Sequence, residues 1–133
     1  NDKRSEGNCY FQLGNAYQEI QQLQQAADCF SNSYKVRLLS GDKDNLDESL
    51  RRRGIAAYAC GDFRAAAESL ETWIQGNADA NDEEQSRKLV EVCCMLGDAY
   101  LKLGDVGNSA DVLKRGLSCA RTARDRGLEV QCL

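Results

Sequence analysis

Tyr10-Phe11-Gln12-Leu13-Gly14-Asn15-Ala16-Tyr17, followed by Ala26-x3-Phe30, is the stretch on which the reading of this chain turns. Its two tyrosines, leucine and glycine stand at i, i+3, i+4 and i+7, one face of a helix. The pattern returns as Cys93-x2-Leu96-Gly97-x2-Tyr100 with Ser109-x3-Leu113, and in degenerate form as Leu50-x2-Arg53-Gly54-x2-Ala57 with Ala66-x3-Leu70. In every copy the glycine precedes its small partner, Ala26, Ala66 or Ser109, by 12 residues. Glycine on one helix and a small residue on the next mark where two antiparallel helices come closest, since a larger side chain would hold them apart. The bulkier Tyr, Phe and Leu residues then fill the space beside the contact. An all-α chain of antiparallel helix pairs is the expected fold.

The turns divide it. Gly61-Asp62 and Gly104-Asp105 each pair a left-handed helix stop with an N-cap for the next helix, whereas the first pair has Gln21-Gln22 at this point, a turn less sharply specified by its residues. Glycine-to-glycine intervals of 40 and 43 residues exceed the roughly 34 of the common helix-pair repeat. The excess is expected between the second helix of one pair and the next repeat, in longer second helices or their loops: Asn45-x2-Glu48 and Asn81-x2-Glu84 read as capping boxes, which leaves 41–44 and 76–80 as the longer connections. Helices are therefore predicted over 5–20, 23–40, 45–60, 63–75, 82–103 and 106–126. They form one array of three repeats at about 5–40, 45–75 and 82–126, with 127–133 opening a truncated fourth. Apolar stripes at Leu23, Ala27, Phe30, Tyr34, Leu38 and at Leu89, Cys93, Leu96, Tyr100, Leu103 support them.

Leu13-Gly14-Asn15-Ala16-Tyr17 and Leu96-Gly97-Asp98-Ala99-Tyr100, with Leu39-Ser40-Gly41-Asp42-Lys43 between repeats, resemble the tetratricopeptide repeat superfamily. They are most similar to its long 40-residue subclass, to which the Pins/LGN polarity adaptors and Tonsoku-type scaffolds belong. The order Glu6-Gly7, Leu13-Gly14, a degenerate middle repeat and Met95-Leu96-Gly97-Asp98 also resembles a ciliary member associated with the axoneme. The resemblance implies an α-solenoid, a right-handed superhelix of helix pairs with a concave groove lined by the first helix of each pair. Asn1-Asp2-Lys3 parallels Gly41-Asp42-Lys43 as an inter-repeat connection, so both ends read as open and the chain as an internal segment of a longer array.

Composition removes several functions. The chain of 133 residues has no histidine, so histidine acid/base catalysis, Ser-His-Asp triads and Cys/His zinc sites are excluded. Seven cysteines, an odd number with no CxxC spacing, fit neither a disulfide framework nor a zinc ribbon. A net charge of -4 argues against nucleic acid, and no apolar run is long enough for a membrane span. No proline is present, as suits packed helices. No enzyme activity, cofactor or metal is expected, and a cytoplasmic setting is.

The implied groove would be lined by Asn8, Phe11, Asn15 and Gln18, by Glu48, Arg51, Ile55 and Tyr58, and by Glu91, Cys94, Asp98 and Lys102. The bland alternative for each is a solvated helix face. Asn15 stands where the chaperone-binding clamps of some members of the superfamily carry asparagine, but Phe11 occupies the place of their lysine. Aromatic anchors at Phe11 and Tyr58 beside Ile55 instead suit an amphipathic helix or an extended peptide. Arg51-Arg52-Arg53 cannot form one patch, because successive helical residues diverge by about 100°. A second basic cluster, Lys114, Arg115, Arg121, Arg124 and Arg126, and the acidic group Asp79, Asp82, Glu83 and Glu84 read equally well as docking surface or solvated face. Cys9, Cys29 and Cys93 read as small buried hydrophobes and Cys94 as exposed, while Trp73 and Ile74 should pack inside. The leading function is a non-catalytic protein-binding scaffold. Its rivals are a structural component of a large assembly such as the ciliary axoneme, and a regulatory repeat segment of a larger enzyme.

Overall fold

The computed structural model describes residues 2–77 and 82–125. These residues form six helices and no strand: α1 (Asp2–Glu19), α2 (Leu23–Ser40), α3 (Lys43–Cys60), α4 (Phe63–Gly76), α5 (Glu83–Lys102) and α6 (Val106–Asp125). Two compact units divide the chain at Trp73/Ile74. The first contains α1 to α3 and most of α4, the second α5 and α6. None of the described helices is long and apolar enough to cross a membrane.

One turn is used four times. Asp42, Asp62 and Asp105 donate their backbone N–H five residues back, to Arg37, Ala57 and Tyr100, at 3.1, 2.9 and 2.8 Å. The preceding Gly41, Gly61 and Gly104 have φ of 75°, 85° and 81°. This closure needs a left-handed residue just past the helix end, which glycine adopts without strain. Gln22 donates likewise to Tyr17 at 2.9 Å, with Gln21 held at φ 64°. The first turn is thus as sharply closed as the others. Gln21→Gly should relieve the left-handed penalty of about 1 kcal/mol, read as a higher urea midpoint; an unchanged or lower midpoint would show that the turn is not strained.

The capping boxes are corrected. Gly41-Asp42 alone joins α2 to α3, so Asn45 lies inside α3 and donates from Nδ2 to the Asp42 carboxylate at 3.0 and 3.2 Å. Glu48 lies inside α3, where it binds Arg51 and Arg52. The extra length of the 40-residue interval therefore resides in the helices, α2 and α3 having 18 residues each, whereas the 43-residue interval contains the shorter α4, of 14 residues, and a longer connection from Gly76 to Glu83. Asn81 lies outside the described residues, as do 78–80 of the second connection; the observed cap of α5 is Asp82, whose side chain accepts from Gln85 N at 2.7 Å. The expected start of a fourth repeat at 127–133 also lies outside the described residues.

The glycines do sit at close approaches, against the bulky residue four positions beyond the small one. A methyl group on Gly14 would meet the Phe30 ring at 2.7 Å, on Gly54 the Leu70 side chain at 2.6 Å, and on Gly97 the Leu113 side chain at 2.6 Å. The small residues close the same contact: Ala26 and Ala66 are fully buried, and the Ser109 hydroxyl donates to the Gly97 carbonyl at 2.8 Å. Phe30 centres the core of the first unit with Ala26 and Ala56, flanked by Phe11, Tyr17 and Ala27. Burying such a ring contributes about 1.5–3 kcal/mol.

Because α2 packs on both α1 and α3, its buried face is displaced from the predicted stripe. Ala26, Cys29, Phe30, Ser33 and Arg37 are buried, while Leu38 is 55% and Leu39 74% exposed. The α5 stripe is buried through Leu89, Cys93 and Leu96 and surfaces at Leu103. Trp73 and Ile74 are buried as expected, and so are Cys29 and Cys93, with Cys94 exposed. Cys9 is exposed instead of buried, because it lies with Leu13, Ala16 and Ile20 on the outward side of α1.

Candidate functional site

The three consecutive arginines of α3 diverge as helical geometry requires. Arg51 turns inward, its side chain only 8% exposed and its Nη2 bonded to Glu48 Oε2 at 2.8 Å. Arg53 reaches back over Tyr34, with its guanidinium carbon 4.8 Å from the ring centre and Nε donating to Ser69 Oγ at 2.9 Å. Arg52 lies between these directions, Nε bonded to Glu48 Oε2 at 3.2 Å. Arg51 was the arginine expected to face a ligand; its burial against Glu48 commits it elsewhere.

Arg52 opens on a surface depression. It lines an open depression of about 430 Å³ together with Asn15, Gln18, Glu19 and Gln21 from the end of α1. Two predicted groove residues, Asn15 and Gln18, are thus brought together with three that the sequence did not place in the groove. All five side chains are polar. Glu19 and Gln21 were legible only once the sharp turn after α1 was known, because that turn folds Gln21 beside Gln18.

The aromatic candidates are drawn away. Phe11 packs edge-on to Phe30 with ring centres 5.5 Å apart, and lies beneath the Arg37 guanidinium at 4.8 Å. Tyr58 packs edge-on to Phe63 at 5.8 Å. Ile55 is half-buried. Asn8 is exposed, yet its Oδ1 accepts from Arg37 Nη2 at 3.0 Å. The anchors on which an amphipathic-helix ligand would rely serve the packing of the repeats.

Arg37 was not singled out by the sequence. It is 4% exposed and bonds both neighbouring helices: Asn8 on α1, and on α3 the Asn45 carbonyl at 3.0 Å and the Ser49 hydroxyl. Burial pulls its guanidinium below the usual range, against the opposing pull of Asp42 and Glu48. The Asn45 hydrogen bond, aided by Arg4 and Arg37, holds the Asp42 carboxyl below the usual carboxylate range despite burial.

A second cleft, of about 320 Å³, opens between α2, α3 and α4. Asp28, Asp62 and Glu68 there face Lys35 and Arg53, so it carries no field of one sign. Burial raises the Cys60 thiol on its wall, with Asp28 and Asp62 adding to the effect.

In the second unit Glu91, Cys94 and Lys102 are exposed and Asp98 half-buried, along one side of α5. Glu83 and Glu84 pair with Arg87 and Lys88 one turn on, at 3.0 and 3.7 Å. Lys114, Arg115 and Arg121 are exposed on α6; Asp79, Arg126 and the Arg124 side chain lie outside what the structure describes. Among the described residues no three Cys, Asp or Glu side chains gather as metal ligands would.

Residues 7–37 and 90–121 match a family model described as Tetratricopeptide repeat. No curated protein matches the chain. Repeats of this family are generally protein–protein interaction modules and typically non-catalytic scaffolds. The matched segments coincide with the pairs α1/α2 and α5/α6, and α3/α4, between them in sequence, repeats the same glycine contact at Gly54. The chain carries tetratricopeptide repeats over these two segments, and its described residues form the all-α helical repeats that such sequences build.

Proposed function

We propose that this chain is a scaffold that holds an extended polar segment of a protein partner in the depression between α1 and α3. The observation that supports this reading is the convergence of Asn15, Gln18, Gln21 and Arg52 on one open site. Side-chain amides both donate and accept, so they match the N–H and C=O groups of an extended backbone. Arg52 adds a charged donor. An amphipathic helix fits less well, since Phe11 and Tyr58 are engaged in packing.

Linear peptides selected from a random displayed library against the full chain provide the test. Arg52→Glu should weaken the selected peptides about tenfold or more, as loss of a charge-assisted hydrogen bond does. Asn15→Ala and Gln18→Ala should each have a smaller effect, with circular dichroism unchanged in all three. Affinities that survive all three substitutions would rule out this depression.

A second reading, a permanent component of a large assembly such as the axoneme, is supported by the apolar residues exposed on the second helices: Leu38 and Leu39 on α2, Val106, Leu113 and Leu117 on α6. A scaffold covered on several sides would bury them. Fluorescent tagging in a ciliated cell tests it: signal along the axoneme is expected, and a diffuse cytosolic signal removes the ciliary reading.

A further inference from the structure

We infer that Arg37 is a strut that sets the spacing of α1 and α3, and with it the width of the depression between them. Both helices pack on α2, so side chains of α2 determine how far apart they stand. Arg37 reaches both with one rigid, planar group. Its Nη2 donates to Asn8 Oδ1 on α1 at 3.0 Å, while Nη1 donates to the Asn45 carbonyl at 3.0 Å and to Ser49 on α3. The guanidinium is planar, so the two arms keep a constant separation and angle. The Phe11 ring closes its face.

A relay one turn earlier on α2 reinforces the same spacing, and its direction follows by elimination. Arginine only donates, so Ser49 accepts from Arg37. The Ser33 hydroxyl donates to the Gly7 carbonyl on α1 at 2.9 Å. Its contact with Ser49, 3.0 Å, must then be donated by Ser49. The chain of donors runs from Arg37 through Ser49 and Ser33 to Gly7, crossing all three helices. A methyl group on Gly7 would come within 3.0 Å of Arg37 Cγ, so glycine there also makes room for the strut.

Stability is a poor explanation for this arrangement. Buried ion-centred networks are often replaced by apolar residues without loss, and here the buried Nε has no hydrogen-bond partner in the protein. The two arms remain bonded at that cost. What an apolar side chain could not reproduce is the two-sided reach.

The strut stands on this geometry alone; only its consequence for ligand capture rests on the proposed function. Spin labels on non-natural residues at the exposed positions Gln12 of α1 and Asp47 of α3 report the spacing in the full chain, and a Gln12/Gln25 pair reports α1 against α2 as a control. With Arg37 present, both pairs should give one narrow distance peak. Arg37→Met should lose the narrow Gln12/Asp47 peak and keep the control peak, and Arg37→Lys, with charge but no fork, should behave like Arg37→Met. A narrow Gln12/Asp47 peak in either variant overturns the strut, as does equal broadening of both pairs. Should Arg37→Met lose its helical signal, Asn8→Ala removes the α1 arm alone, and a retained narrow peak there is equally fatal. A broadened peak with unchanged affinity for the selected peptides would keep the strut and remove the depression as their site.

Discussion

Phe30→Ala is expected to remove about 3–5 kcal/mol of stability, the range for truncating a buried aromatic ring, and to fall at its upper end. The cost of a core truncation depends on how far the neighbours can collapse into the space left behind. Here they cannot. Phe30 is fully buried between Gly14, which has no side chain to move, and Ala26 and Ala56, which have one carbon each. The large neighbours are Tyr17 and Phe11, and shifting the Phe11 ring, 5.5 Å away, would withdraw the surface beneath Arg37. A domain stable by about 5–15 kcal/mol would lose much of its margin. Urea unfolding followed by circular dichroism measures this. A loss below about 1.5 kcal/mol, at the level of deleting a methylene or two, would mean that Phe30 does not organise the core. Phe30→Leu combined with Gly14→Ala should recover part of the loss, since the added methyl occupies space the smaller side chain vacates.

The second large effect is a contrast between two copies of one motif. Gly54→Ala should destabilise by about 1–3 kcal/mol, as overpacking does, whereas Gly97→Ala should be close to neutral. Both methyl groups would arrive 2.6 Å from a leucine. Leu70 is fully buried with Ser69 beside it, 3.2 Å from the new methyl, and has nowhere to go. Leu113 is 39% exposed and can swing toward solvent. Alanine also gains about 1 kcal/mol over glycine in a helix interior, which offsets the smaller strain at 97 but not the larger at 54. Urea midpoints of the two variants decide the matter. Equal losses, or the reverse order, would show that the accessibility of the opposing leucine does not control the close approach.

The helix pairs were legible because their signals are local. A glycine and a small residue 12 positions apart are tied by one short turn, and a Gly-Asp pair stops one helix and starts the next by backbone preference alone. Gly41-Asp42 carried that signal as clearly as Gly61-Asp62 did. It was outweighed by Asn45-x2-Glu48, a pattern that a helix interior produces equally well because residues three apart share a side. The strained Gln21 gave no such signal: nothing in Gln21-Gln22 announces a left-handed residue, and the surrounding helices impose it.

The candidate site was less legible than the fold. The groove residues came from an implied geometry, and an error of one position rotates a side chain by about 100°. That is the distance between Arg51, buried on Glu48, and Arg52, facing the open depression. Phe11 and Tyr58 look like binding anchors in sequence because aromatic residues serve interfaces and cores alike; their partners Phe30 and Phe63 decide for the core.

The sequence by itself determined that this chain folds as paired helices, where each pair comes closest, and where it turns, since those depend on steric fit and backbone preference within about forty residues of chain. The tertiary structure alone decided what faces inward on α2. Composition would bury Leu38 and expose Arg37, yet Leu38 is out and Arg37 is in. The reason is that α2 is flanked by two helices at once, and the sides they turn toward it carry acceptors, Asn8 on α1 and the Asn45 carbonyl and Ser49 on α3, that a guanidinium satisfies and a leucine cannot.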